Sequence, residues 1–136
     1  MGEGMNYEIA IINYPLMDPR KNIVDYSQYL QLQYTNVDPW DATVYIHIPF
    51  CSNICNFCVY NRRVPDSEEI IKNYLQALLD EIMMYGKTSY IQSAKIGAIF
   101  IGGGTPTCLS SEQIGALLRA CKEWLPITNN TEITME

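Results

Sequence analysis

An α/β fold built on a parallel sheet is what this sequence predicts, and three observations carry the prediction. Two amphipathic helical stretches alternate with three short apolar ones, in the order strand, helix, strand, helix, strand. The middle apolar stretch, "KIGAIFI", is almost wholly hydrophobic, as expected of a strand buried on both faces of a parallel sheet. Cysteines and glycines follow the strands directly, at the end of a parallel sheet where ligands gather.

Each element can be justified in turn. Residues 1–42 read as an irregular, Tyr-rich leader, in which "YEIAIINYP" suits a short strand and "NIVDYSQYLQLQY" a short helix with Ile23, Tyr26 and Leu30 on one side; "DPW" at Asp38–Trp40 closes it. The domain proper is expected over residues 43–136. Its first strand, "TVYIHIPF", alternates: Val44, Ile46, Ile48 and Phe50 share one face, and Tyr45, His47 and Pro49 the other. The strongest helix is "PDSEEIIKNYLQALLDEIMMYG". Ile70, Tyr74, Leu78 and Ile82 form one line and Ile71, Leu75, Leu79 and Met83 a second, with Asp66 as expected cap, Glu69 completing a capping box, and Gly86 as the stop. Glu68 and Glu69 suit the positive end of that helix dipole. A second helix, "SSEQIGALLRACKEWL", carries a Ser110–Gln113 capping box and a stripe of Ile114, Leu117, Leu118 and Cys121. "TEITME" reads as the third strand.

Composition narrows the function classes. The chain has 136 residues, 48% of them hydrophobic, which suits one globular domain with a sizeable core. A net charge of -6 gives no basic footprint for nucleic acid or anionic lipid. No apolar run approaches the roughly 20 residues of a membrane helix, and Gly2 lacks the Ser or Thr that myristoylation wants where Asn6 stands. The expectation is a cytoplasmic protein with neither nucleic acid nor membrane as partner. In a reducing cytosol, closely spaced cysteines point to metal or redox chemistry before disulfides.

The chemistry concentrates in "CSNICNFC", which puts three of the five cysteines within eight residues. A four-iron cubane takes one thiolate per iron, and Cys51, Cys55 and Cys58 supply three. The fourth iron is left for a small chelating molecule with an amine and a carboxylate, as S-adenosylmethionine has; an open position marks a catalytic metal site. Zinc with Cys108 or His47 as fourth ligand is the alternative. His47, the sole histidine, reads otherwise as a satisfied structural residue on the inward strand face. Cys108 and Cys121 read as small core residues, and Arg62 and Arg63 as surface charges, with contact to a substrate carboxylate as the alternative.

The stretch "VYIHIPFCSNICNFC", with its CxxxCxxC spacing, and "IFIGGGTPT" on the next strand resemble the radical S-adenosylmethionine superfamily, in the branch of the oxygen-independent coproporphyrinogen III oxidases. The resemblance implies a [4Fe-4S] cluster on Cys51, Cys55 and Cys58. It implies S-adenosylmethionine contacts from Tyr45, Phe57, Gly103, Gly104, Thr105 and Glu136. Glycine suits such contacts by admitting positive φ and close backbone approach, and Phe57 would give the cluster an apolar cover. The implied activity is reductive cleavage of S-adenosylmethionine, then oxidative decarboxylation of a porphyrinogen or related chemistry on haem, with flavodoxin or ferredoxin as electron donor. The branch also holds methyltransferases, haem-degrading enzymes and haem chaperones. "CVYNRR" departs from the oxidase's cysteine-containing continuation, and "NYP" is less than its fuller "TSYP" leader. The implied architecture is the first half of a partial (β/α)6 TIM-like barrel, so the chain is expected to be part of a longer enzyme.

Overall fold

The computed structural model describes residues 42–136; the expected leader strand, leader helix and Asp38–Trp40 turn lie outside the described residues. Within them the chain forms β1 (Ala42–Ile48), α1 (Glu68–Gly86), a four-residue α2 (Ser89–Gln92), β2 (Ile96–Gly103), α3 (Ser111–Trp124) and β3 (Glu132–Met135). A single 3₁₀ turn, Pro106–Cys108, precedes α3. The strands make one parallel sheet in the order β1-β2-β3.

Register decides which face does what. Val44 lies beside Ile99 and Ile46 beside Ile101, while Tyr45 lies beside Phe100 and His47 beside Gly102. The first set is buried with Ile48, Tyr74, Leu75, Leu78 and Ile82 of α1 and Leu117 and Cys121 of α3 in one apolar cluster. Each fully buried Ile or Leu there contributes on the order of 2 kcal/mol. On the other face Tyr45, His47, Ala98 and Phe100 are only half-buried, and Gly102 is buried. The expectation that β2 is buried on both faces is therefore corrected, because the helical stripes described here converge on the Val44–Ile99 side alone. Tyr45 and Phe100 instead stack on each other, centroids 6.0 Å apart.

The helices follow the expected stripes with two changes at their ends. Ser110 caps α3 through a full capping box: its Oγ accepts from the Gln113 amide at 3.3 Å, and Gln113 Oε1 accepts from the Ser110 amide at 2.8 Å. Asp66, by contrast, does not cap α1; Ser67 occupies the cap position with no side-chain bond. The Asp66 carboxylate is taken by Arg63 at 2.8 Å, and an Arg fork outcompetes the backbone amides for it. Gly86 closes α1 without left-handed geometry, since Gly103 is the sole positive-φ glycine among the described residues. Its role is close approach: a Cβ on Gly86 would sit 2.5 Å from the Trp124 carbonyl oxygen of α3. Helix α2, absent from the sequence expectation, is capped by Thr88 and buries Ile91. One α-helical turn is too short to show a periodic stripe.

Candidate functional site

The carboxyl ends of the three strands meet at one edge of the sheet, and the cysteine loop grows from the first of them. Its two limbs are tied together: Arg63 N–H donates to the Pro49 carbonyl at 2.7 Å and Cys51 N–H to the Arg63 carbonyl at 3.0 Å. Residues 51–62 are thus a closed loop with a fixed base. Cys51 and Cys58 are half-buried and Cys55 exposed, all three as free thiols. Cys58 N–H donates to the Cys55 carbonyl at 3.2 Å, which closes a turn at Asn56 and Phe57.

A second tie joins this loop to the glycine segment after β2. Gly104 N–H donates to the Ile48 carbonyl at 2.8 Å, and Thr105 N–H to the Phe50 carbonyl at 2.7 Å. The glycines are demanded by distance. A Cβ on Gly104 would lie 2.7 Å from Cys51 Sγ and 2.6 Å from the Phe50 oxygen, and one on Gly103, at φ +120, would strike the His47 ring at 2.8 Å. Gly102, which sequence reasoning passed over, is also crowded, though only by side-chain ends: Phe100, Glu136 and Tyr45 all stand within 3.2 Å of an added Cβ. The signal was present in the triplet itself; its function needed the register.

Polar groups on the open sheet face form a connected set. The His47 Nε2–H donates to the Asn61 carbonyl at 2.6 Å, since a carbonyl can only accept. With that proton on Nε2, Nδ1 is the acceptor for the Tyr45 hydroxyl at 3.1 Å. His47 is thus satisfied, as expected, and it also pins the returning limb of the cysteine loop to β1. From α1, the Tyr74 hydroxyl donates to the His47 carbonyl. Burial, then the Glu136 carboxylate and Tyr60, push the Tyr45 phenol above its ordinary value. Glu136 is held by its amide, which donates to the Ile101 carbonyl at 3.0 Å.

Among the expected S-adenosylmethionine contacts, Tyr45, Gly103, Gly104, Thr105 and Glu136 lie at this edge. Phe57 stands apart from the core, 86% exposed on the cysteine loop beside exposed Ile54, Val59 and Tyr60. One expectation is corrected: Cys108 is exposed rather than in the core, whereas Cys121 is fully buried. Arg62 and Arg63, read as surface charges, are each bonded, Arg62 to loop carbonyls and Arg63 to Asp66 at the surface. The Cys108 thiol is pushed up by burial of part of its surface and by neighbouring Cys51, against the pull of its own backbone.

Among the described residues no three His, Cys, Asp or Glu side chains gather at the spacing of a single metal ion. A cubane spreads its three thiolates over separate irons, and the donor set suits it: three thiols on one tied loop, with Gly104 leaving room against Cys51. Arg62 Nε, buried and without a partner in the same loop, is a donor left for an acceptor such as sulfur.

The chain resembles known proteins over about 70% of its length. No protein-family model matches. Over 99 residues the chain is 39% identical to an anaerobilin synthase of Escherichia coli, covering 72% of this chain and 22% of that protein. It is 35% identical over 94 residues to an oxygen-independent coproporphyrinogen III oxidase of Cereibacter sphaeroides, covering 69% and 21%. The solved Escherichia coli coproporphyrinogen III oxidase HemN, described as a radical S-adenosylmethionine enzyme, superposes with a TM-score of 0.61 at 33% identity, covering 67% of this chain and 20% of that one. The chain belongs to the radical S-adenosylmethionine superfamily, in the coproporphyrinogen oxidase-like branch. A heme chaperone HemW of Haemophilus influenzae, 36% identical over 96 residues with 69% and 25% covered, is another relative of this radical S-adenosylmethionine chain. The chain spans about a quarter or less of the length of these relatives. No helix among the described residues is long and apolar enough to cross a membrane.

Proposed function

We propose that Cys51, Cys55 and Cys58 hold a [4Fe-4S] cluster whose fourth iron takes S-adenosylmethionine, and that the chain supplies the radical-generating part of an enzyme acting on a tetrapyrrole. The observation that carries this is the double tie of the cysteine loop: to itself through Arg63, and to the glycine segment through Gly104 and Thr105. When bound and reduced, the cluster would supply one electron to the sulfonium, breaking its bond to C5' and giving methionine and a 5'-deoxyadenosyl radical. The protein's part is to position and to shield. The side-chain-free backbone of Gly103 and Gly104 lies against His47 and Cys51 respectively, beside the cysteine loop where a ligand would approach. Glu136 offers a carboxylate acceptor beside Tyr45. Phe57 and Val59, apolar and exposed, are placed to keep water from the cluster once a ligand covers the loop.

The substrate reading rests on the relatives' names, which concern anaerobilin, heme and coproporphyrinogen. A coproporphyrinogen-type reaction would abstract a hydrogen atom from a propionate side chain, release carbon dioxide, pass one electron to an acceptor and leave a vinyl group. A second reading, chemistry on haem itself or haem carriage, is favoured by the higher identity to the anaerobilin synthase and the HemW chaperone. We further propose the cytoplasm as location, flavodoxin or ferredoxin as reductant, and residues 43–136 as the opening half of a partial (β/α)6 barrel.

Anaerobic reconstitution with iron and sulfide, then incubation with S-adenosylmethionine and dithionite, tests the reading. The expected result is about four iron per chain, a figure set by one thiolate or ligand per iron, with 5'-deoxyadenosine formed. Bound zinc, or an intact cubane that changes no spectroscopic feature on adding S-adenosylmethionine, would falsify it.

A further inference from the structure

The cysteine loop contains a cation that the proposed ligand set does not use. Arg62 Nη1 donates to the Tyr60 carbonyl at 2.9 Å and Nη2 to the Cys55 carbonyl at 3.3 Å. The fork therefore bridges across the loop, from its returning limb to the backbone of the central cysteine. Its Nε–H is buried and has no partner. A guanidinium stays charged at any pH a protein meets, and a buried donor without an acceptor is costly unless something arrives to take it. No carboxylate pairs with it among the described contacts: Asp66, the nearest acidic residue in sequence, is bonded to Arg63. The group so placed is a fixed positive charge within the loop that bears three thiols.

We propose that Arg62 is a positioning residue with two effects: its fork holds the Cys55–Tyr60 arc in the shape the thiols need, and its charge raises the reduction potential of a cluster bound there. The second effect rests on the reading of the loop as a cluster site; the first does not. Net charge and hydrogen bonding around the sulfurs are the levers that set cluster potentials. Reduction adds one negative charge, so a fixed cation in the loop favours the reduced form. The loop's other ties, Arg63 to Pro49 and His47 to Asn61, secure its base and its exit. Arg62 alone of these spans the interior of the arc.

The test compares wild type with Arg62→Gln and Arg62→Lys in the full chain. Hydrogen exchange of the cluster-free protein is read over residues 53–61, and the midpoint potential of the reconstituted protein by a titration followed by electron paramagnetic resonance. Arg62→Gln is expected to speed exchange in the arc about tenfold, the scale of a charge-assisted hydrogen bond, and to shift the midpoint to a more negative potential. Arg62→Lys keeps the charge but not the fork, so exchange should quicken while the midpoint stays closer to wild type. Exchange unchanged in both variants overturns the positioning role, and an unchanged midpoint in Arg62→Gln overturns the tuning. A wild type that takes up no cubane would sink the cluster reading and the tuning together, while the exchange result would still decide the fork.

Discussion

Gly104 is where a single missing methyl group has the most to do. An added Cβ would meet Cys51 Sγ at 2.7 Å and two backbone atoms of Phe50 at 3.0 Å or less, and backbone cannot swing aside as a side-chain end can. Gly104→Ala should therefore displace Cys51 and lower iron and sulfide retention several-fold after anaerobic reconstitution. Gly115→Ala is the control, because only the mobile end of Arg119 stands within 3.4 Å of its new methyl. It should keep its cluster and gain up to about 1 kcal/mol of stability, as alanine does over glycine inside a helix. Full retention of iron by Gly104→Ala would refute the crowding argument. Tyr45 gives a second measurement. Its phenol is raised first by burial and then by Glu136 and Tyr60, so Glu136→Gln should bring its titration down toward 10. A Tyr45→Phe difference spectrum isolates that one phenol among the others, and no downward movement would mean that the carboxylate does not reach it.

The helices show how much was legible beforehand and why the remainder was not. Both long helices stand where their stripes put them, because a period of 3.6 is written in consecutive residues. The α3 cap was legible for the same reason: Ser110 and Gln113 are three apart and bond each other's backbone within one turn. The α1 cap misled, since the competitor for Asp66 was Arg63, whose approach depends on the loop being pinned to Pro49. This difference can be measured. Ser110→Ala should cost about 1 kcal/mol in urea unfolding, the usual worth of an N-cap, whereas Asp66→Ala should cost well under half of that, as a surface ion pair does. Equal losses would mean that Asp66 caps α1 in solution. The candidate site divides likewise. Cysteine spacing and the glycine triplet were readable, but the crowding around Gly102 arises from segments brought together by strand pairing, and the exposure of Cys108 and the bridging of loop carbonyls by Arg62 from loop geometry, none of which a local pattern encodes.

The stability of the whole assembly is tied to a thiol far from the candidate centre. Burial in the apolar cluster pushes Cys121 up to about 11 from an ordinary 9.0. The unfolded chain ionises this group first, so its contribution is intact below about pH 9 and is lost as pH climbs toward 11. Over that window wild type should lose about 2 kcal/mol more than Cys121→Ala, whose baseline is lower but whose profile is flatter. Parallel profiles would show that the thiol stays protonated in both states. The alkaline window also separates the core from the site, since Cys121 lies on the helix-covered face and the cysteine loop at the strand ends.

The pairing of β1 with β2 runs unbroken from Thr43 to Ile48 and continues past the strands through the amides of Gly104 and Thr105. The thiol-bearing arc and the glycine segment are thereby welded into one plate, with no seam along which they could part. β3 is joined to that plate by four residue pairs only. An arriving molecule would thus meet two segments already fixed to each other by main-chain bonds, with Glu136 beside them, its amide on the Ile101 carbonyl.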